Sequence, residues 1–145
     1  MKILMVIVLG MFSFPVVHAP YISRTPNTLT QYTSTGFMAH TYLGGSKFYL
    51  MYPGQTVTLI YTDGHVERFK VTQVYQYQAL TVKDFRDLDT GEYLDQYTLF
   101  HKVYKPDQVT FQTCISKDGQ LDYGRLFVIA ERRLDDLSIS VDTSR

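Results

Sequence analysis

Val109-Thr110-Phe111-Gln112-Thr113-Cys114 is followed, eleven residues beyond its cysteine, by Arg125-Leu126-Phe127-Val128-Ile129-Ala130. The two runs read as strands, with a loop holding Asp118-Gly119 between them. If they pair antiparallel, the end of one meets the start of the next, and Cys114 and Arg125 share an edge of the sheet. A guanidinium there can orient a carbonyl or stabilise an oxyanion, and it favours the thiolate. Cys114 is the only cysteine among 145 residues, so it has no partner within the chain for a disulfide. Composition alone leaves a buried inert thiol and a reactive one equally open.

Outward from this pair, strand signals dominate. Residues 57–62 alternate, with Val57, Leu59 and Tyr61 on one face. Asp63-Gly64 predicts a two-residue type I′ hairpin turn. Residues 66–74 form the return strand, with Phe69 and Val71 pointing one way. Pro53-Gly54 marks the turn before this hairpin. Residues 75–105 are the least patterned: Leu80, Phe85 and Leu88 suit a short helix or turn, and Asp89-Thr90-Gly91 a tight turn. No helical pattern of three or more turns follows residue 20, and no internal repeat is visible. Many short strands with turn signals imply an all-β fold, either a closed β-barrel or a sandwich.

The N-terminus reads as an export segment. Lys2 precedes a run, residues 3–17, that is apolar apart from Gly10, Ser13 and Pro15. It is shorter than the roughly 20 residues of a comfortable membrane span. Val17-His18-Ala19 resembles a small-residue cleavage site, although Pro20 follows it directly. Residues 1–19 are therefore expected to be a signal peptide or membrane anchor, and residues 20–34, with Pro20, Pro26 and Asn27, a linker. Residues 35–134 would form the domain and 135–145 a C-terminal tail. A buried N-terminal strand or helix is the alternative. An export segment places the domain outside the cytoplasm, with the membrane met only through the N-terminus.

Fourteen Lys and Arg balance fourteen Asp and Glu. No basic field is present to hold nucleic acid. Twelve tyrosines and nine phenylalanines fit either strand propensity or a groove for an extended peptide.

A nucleophilic cysteine needs an acid to protonate a leaving amine, and histidine suits that task near neutral pH. His18 lies in the export segment, His65 in the hairpin turn and His101 at an expected strand end. His40, ahead of Gly44-Gly45, remains.

At this point the chain resembles the sortases. That family carries a T-L-x-T-C strand, an arginine opening the next strand and an upstream histidine. Thr110-Phe111-Gln112-Thr113-Cys114 matches the first with phenylalanine for leucine, Arg125-Leu126-Phe127-Val128 resembles the second, and His40 fits the third. Gly45, Phe48, Leu50 and Gly54 extend the likeness, which covers about residues 36–132. The family's usual Gly-Asp is Gly54-Gln55 here, and the domain is short for the family. The resemblance implies a closed β-barrel of about eight strands with short helical or turn segments. It implies Cys114 as nucleophile, His40 as general acid and base, and Arg125 as substrate and oxyanion stabiliser, with Thr113 assisting the oxyanion. The implied reaction is transpeptidation. A sorting-signal bond, Thr–Gly in an L-P-x-T-G-like motif of a surface protein, is cleaved through a Cys acyl-enzyme. The acyl group passes to an amine of a cell-wall precursor or pilin. The implied location is the extracytoplasmic face of a bacterial membrane or the cell wall.

No cofactor is expected. Asp84, Asp87, Asp89 and Glu92 raise calcium, which some sortases bind, but their spacing fits no oxygen-ligand motif and a solvated polar loop is the simpler reading. The alternative function is a non-catalytic exported barrel that binds an extended peptide on a sortase framework. Papain-like hydrolases place cysteine before histidine, the reverse of the order here, and Gln112-Thr113-Cys114 does not match the S-x-G-C motif of L,D-transpeptidases.

Overall fold

The computed structural model describes residues 11–133. Among these, nine strands form one sheet: β1 (Met11–His18), β2 (Leu29–Gln31), β3 (Gly36–Met38), β4 (Thr56–Tyr61), β5 (Val66–Ala79), β6 (Asp84–Asp87), β7 (Tyr93–Asp95), β8 (Val109–Lys117) and β9 (Gln120–Arg132). A 3-10 helix, Gly44–Leu50, joins β3 to β4, and an α-helix, α1 (Gln96–Val103), joins β7 to β8. The strand order is β4-β1-β2-β3-β8-β9-β5-β6-β7, and β4 also pairs with β5. Seven strands therefore close into a barrel, while β6 and β7 extend β5 beyond it. The expected all-β closed barrel is present, with seven strands in the barrel itself rather than about eight.

Strands occur within the expected export segment and linker. Residues 11–18 are a barrel strand, paired in parallel with β4 from Met11↔Thr56 to Val16↔Tyr61 and with β2 from Val16↔Leu29 to His18↔Gln31. The physical reason is a period of two. Phe14 and Val16 are buried and Phe12 packs against the core, while Ser13 and Pro15 point outward. The two residues that seemed to interrupt an apolar run are the exposed face of a strand. Pro15 falls before the β2 pairing begins, where that flank of β1 carries no ladder bond to lose. The Asn27 amide donates to the Ser13 carbonyl on this open flank at 3.2 Å. The expected linker likewise contains β2, with Leu29 and Thr30 buried. Residues 1–10 and 134–145, which hold the start of the apolar run and the expected tail, lie outside the described residues.

The β4–β5 hairpin has the expected faces: Val57 pairs with Phe69, and Val57, Leu59, Phe69 and Val71 are all buried. Its turn differs. The Gly64 N–H donates to the Tyr61 carbonyl at 2.9 Å, and the Tyr61 N–H to the His65 carbonyl at 3.0 Å, making a three-residue loop. Only Gly64 (φ +90°) is left-handed there. The Asp63 carboxylate is engaged by the His65 N–H at 3.0 Å and ring Nδ1 at 2.5 Å. Type I′ needs positive φ at both central residues. That geometry occurs instead at Asp118 (φ +52°) and Gly119 (φ +82°), between β8 and β9.

Two cores flank the β8–β9 ribbon. Phe14, Phe37, Phe48, Phe111, Leu126 and Val128 belong to the one inside the barrel. Outside it, Tyr77, Phe85, Leu99, Val103, Phe127 and Ile129 pack between the β5–β9 face, β6 and α1. Burial on both faces explains why residues 126–130 form an unbroken apolar run rather than an alternating one. The poorly patterned stretch resolves into the end of β5, the β6–β7 hairpin and α1. The helix is capped by the Asp95 carboxylate, which accepts the Thr98 N–H at 2.7 Å. His101, expected at a strand end, lies in this helix and bonds through Nδ1 to the Tyr97 carbonyl at 2.9 Å.

Candidate active site

The β8–β9 register places Cys114 directly opposite Arg125, Thr113 opposite Leu126 and Gln112 opposite Phe127. Alternation then decides the faces. Phe111 and Leu126 point into the barrel core, so Gln112, Cys114, Arg125 and Phe127 share the outer face. Cys114 and Arg125 are both half-buried there. The Arg125 Nη1 donates to the Gly124 carbonyl at 2.9 Å.

His40 follows β3, whose parallel pairing with β8 runs from Gly36↔Thr110 to Met38↔Gln112. Four hydrogen bonds fix the chain on either side of it. The His40 carbonyl accepts the Leu43 and Gly45 N–H groups, each at 3.0 Å. The Ala39 N–H donates to the Gln112 carbonyl at 3.2 Å. The buried Thr113 hydroxyl donates to the Ala39 carbonyl at 2.7 Å. Gly45 is required by close approach: a Cβ there would stand 2.3 Å from Thr113 Oγ1 and 2.7 Å from the His40 carbonyl oxygen.

Cys114 stands between two cavities. One, of about 270 Å³, is lined by His40, Cys114, Met38, Tyr42 and Leu121 and is mostly apolar. The other, of about 550 Å³, is lined by Cys114, Arg125, Asp122, Leu80, Val82 and Phe100. Among the described residues no hydrogen bond joins the Cys114 thiol to the His40 imidazole or the Arg125 guanidinium. The three side chains share space rather than bonds. His40 stacks on Tyr42, with ring centroids 5.1 Å apart at 21°.

Thr113 joins the two elements. Its hydroxyl ties β8 to the His40 turn, and the residue also lines the smaller cavity beside Cys114. His18, assigned by sequence to an export segment, ends β1 and lines a third cavity of about 940 Å³ that His40 also lines. His65 stays in its exposed hairpin loop, stacked on Tyr61.

Two residues near the thiol had no distinguishing signal in the sequence. Tyr49, on the 3-10 helix, donates its hydroxyl to the Cys114 carbonyl at 2.5 Å. Gln112 accepts a hydrogen bond at Oε1 from the Tyr104 hydroxyl, which in turn accepts one from Tyr32. Burial, partly offset by the hydrogen bond to Tyr104, pushes the Tyr32 hydroxyl up to about 12. Burial, with the neighbouring Tyr32, pushes Tyr104 higher still. Both hydroxyls therefore stay protonated near neutral pH.

The acidic stretch forms a turn. Asp87 Oδ1 accepts the Asp89 and Thr90 N–H groups at 2.8 and 3.1 Å. Among the described residues no group of three His, Cys, Asp or Glu side chains could hold a metal ion.

No protein-family model matches the chain, and no curated protein sequence does. Solved structures do. Sortase C-1 from Actinomyces oris superposes with a TM-score of 0.51 at 16% identity, over 81% of this chain and 64% of that one. The complex of Streptococcus agalactiae sortase C1 with MTSET gives 0.50 at 14% identity, over 81% and 60%. The lid mutant of the same sortase gives 0.50 at 13%, over 81% and 61%. The chain thus spans less than two thirds of the length of these sortases. At such identities the likeness speaks for architecture alone, and it agrees with the closed all-β barrel: the chain has a sortase-like fold.

Proposed function

We propose that the chain is a sortase-type cysteine transpeptidase. The observation that carries this reading is the position of the Cys114 thiol between two cavities, with His40 lining one and Arg125 the other. A peptide lying across the thiol meets a proton carrier on one side and a fixed cation on the other.

The chemistry then runs in two halves. The Cys114 thiolate attacks the scissile carbonyl carbon, and negative charge gathers on the carbonyl oxygen. The Arg125 guanidinium, a planar cation with a fork of N–H donors, stabilises that oxygen. The C–N bond breaks as the His40 imidazolium gives its proton to the leaving amine, and a thioester remains on Cys114. An acceptor amine then attacks the thioester and passes a proton to His40. The C–S bond breaks and the thiolate returns. The Thr113 hydroxyl, committed to the Ala39 carbonyl, serves this scheme by holding the His40 turn against β8 rather than as an oxyanion donor.

The substrates we propose are an L-P-x-T-G-like sorting signal on a surface protein and an amine of a cell-wall precursor or pilin, met outside the cytoplasm. The test is to incubate the purified chain with a sorting-peptide library plus a glycine or lysine nucleophile, and to identify adducts and products by mass spectrometry. A thioester mass on Cys114 and a transferred product are expected. A chain whose thiol reacts with iodoacetamide but forms no adduct with any peptide would end this reading.

A further inference from the structure

We infer that the Gln112 side-chain amide is a peptide-binding donor of this site, positioned by two tyrosines to grip a backbone carbonyl of the substrate beside the thiol. The inference rests on the proposed function and adds a residue that the cysteine, histidine and arginine do not account for.

Gln112 lies two residues before Cys114 on the same outer face of β8, and it lines both cavities that meet at the thiol. The residue is only 8% exposed, so its amide has few orientations open to it. Its oxygen is taken. Oε1 accepts the Tyr104 hydroxyl, with the Tyr32 hydroxyl 3.4 Å away. Tyr32, from the turn after β2, and Tyr104, from the end of α1, pack edge to face with ring centroids 6.0 Å apart. Tyr32 donates to Tyr104 and Tyr104 to Oε1, so the amide oxygen is the acceptor that ends this chain of hydrogen bonds.

The nitrogen is the other half of the amide. Among the described residues Nε2 has no hydrogen-bond partner. Among those residues the one fully sealed polar side-chain atom without a partner is Tyr77 Oη, so Nε2 is not sealed and opens on the cavities. A primary amide whose oxygen is fixed presents two N–H donors in a known direction. A donor that is fixed before the ligand arrives loses little freedom on binding.

The spacing suits an extended peptide. Alternate residues of a strand lie about 6.6 Å apart, and an extended peptide repeats its same-side carbonyls at the same interval. With the scissile carbonyl at Cys114, a carbonyl two residues away falls at Gln112. The occupant is thus a peptide backbone carbonyl, an acceptor that pairs with Nε2 whatever the side chain of that residue.

The test compares alkylation of the thiol by two reagents: a Leu-Pro-Ala-Thr peptide ending in a chloromethyl ketone, and iodoacetamide, which needs no peptide site. The quantity read is the ratio of the two rates. Gln112→Leu removes both the donor and the acceptor, and Gln112→Glu keeps an acceptor for Tyr104 while removing the donor. In both variants the ratio should fall by about tenfold, the loss of one neutral hydrogen bond at the generous end of its range. Thermal unfolding checks the fold, and Gln112→Glu keeps the comparison informative if Gln112→Leu is destabilised. A parent-like ratio in Gln112→Glu overturns the inference, because the side chain would then serve only as an anchor for the tyrosines. If the parent itself alkylates with the peptide no faster than with iodoacetamide, the proposed function and this role fall together. A peptide-preferring parent with unaffected variants removes Gln112 alone.

Discussion

Phe14→Ala should unfold this protein far more readily than any change in a discarded leader could. The ring is fully buried, and its centroid lies 5.8 Å from that of Phe48, edge to face. Phe48 in turn lies 5.8 Å from Phe111 on β8, so the stack runs from β1 to the strand that carries the thiol. Burying a phenylalanine removes roughly 200 Å² from water, worth about 5 kcal/mol at 25 cal/mol/Å² and an upper bound on that scale. Truncations of buried phenylalanine to alanine cost about 3–5 kcal/mol. For a domain of this size each kcal/mol moves Tm by about 4 °C, so a fall on the order of 12–20 °C is expected. Ser13→Ala, on the exposed face of the same strand, should shift Tm by no more than about 2–3 °C. The assay is thermal unfolding followed by circular dichroism on the full chain, its two variants and a chain beginning at residue 20. The shortened chain loses the strand between β4 and β2 and should lack a cooperative transition. If it melts like the parent, or if Phe14→Ala changes nothing, β1 is no part of the fold and the barrel closure described above is wrong.

Four other outcomes are expected. Cys114→Ala should abolish peptide cleavage and transfer while leaving Tm near that of the parent, as read by product mass and calorimetry; transpeptidation by a folded variant would remove Cys114 as the nucleophile. Arg125→Ala and Arg125→Lys should both slow single-turnover acylation, by about a hundredfold for the alanine variant, since a lysine point charge does not reproduce the planar fork of donors. Parent-like acylation by Arg125→Lys would make the arginine structural. Gly45→Ala should lower both Tm and acylation, because its methyl would meet Thr113 Oγ1 and the His40 carbonyl at 2.3 and 2.7 Å; an unchanged acylation rate would show that the turn beneath His40 yields freely. The Asp95 carboxylate is held below its ordinary value of 3.8 by the Thr98 N–H it accepts. Its contribution is therefore fully present above that value and lost as pH falls through the lower folded value, so the Tm gap between parent and Asp95→Ala should close in strong acid.

The strands and their pairing were legible where one face is buried and the other wet. Val57, Leu59, Phe69 and Val71 declare their faces by simple alternation, and the register follows. Cys114 and Arg125 could be set side by side from strand order alone, because a hairpin fixes which residues meet. The N-terminus carries two readings for a physical reason: a strand whose outward residues include Pro15 and whose inward residues are phenylalanine and valine has the composition of an export segment. Asp63-Gly64 and Asp118-Gly119 are identical dipeptides with different turns, and the difference lies partly in the His65 contacts that engage the Asp63 side chain. Tyr49, and the Tyr32 and Tyr104 pair behind Gln112, were not readable, because they reach the Cys114 carbonyl and the Gln112 amide from elements far apart in the chain. Tyr32 and Tyr104 are 72 residues apart and meet only once the barrel and α1 are assembled.

The order in which the strands appear along the chain has a consequence for assembly. β1 needs β4 as a parallel neighbour, β3 needs β8, and β5 waits for β9, with which it shares a ladder from Phe69↔Arg132 to Gln78↔Gly124. Such distant pairings make folding slow, because chain ends must be brought together before the contacts repay them. The β8–β9 ribbon can form early through its tight turn, but its edges have no seat until β3 and β5 flank it. Cys114 therefore meets His40 only when β8 docks against β3. On the proposed function, a nascent or half-folded chain would carry a thiol without its acid partner, and reactivity toward peptides would arrive together with the finished barrel and not before it.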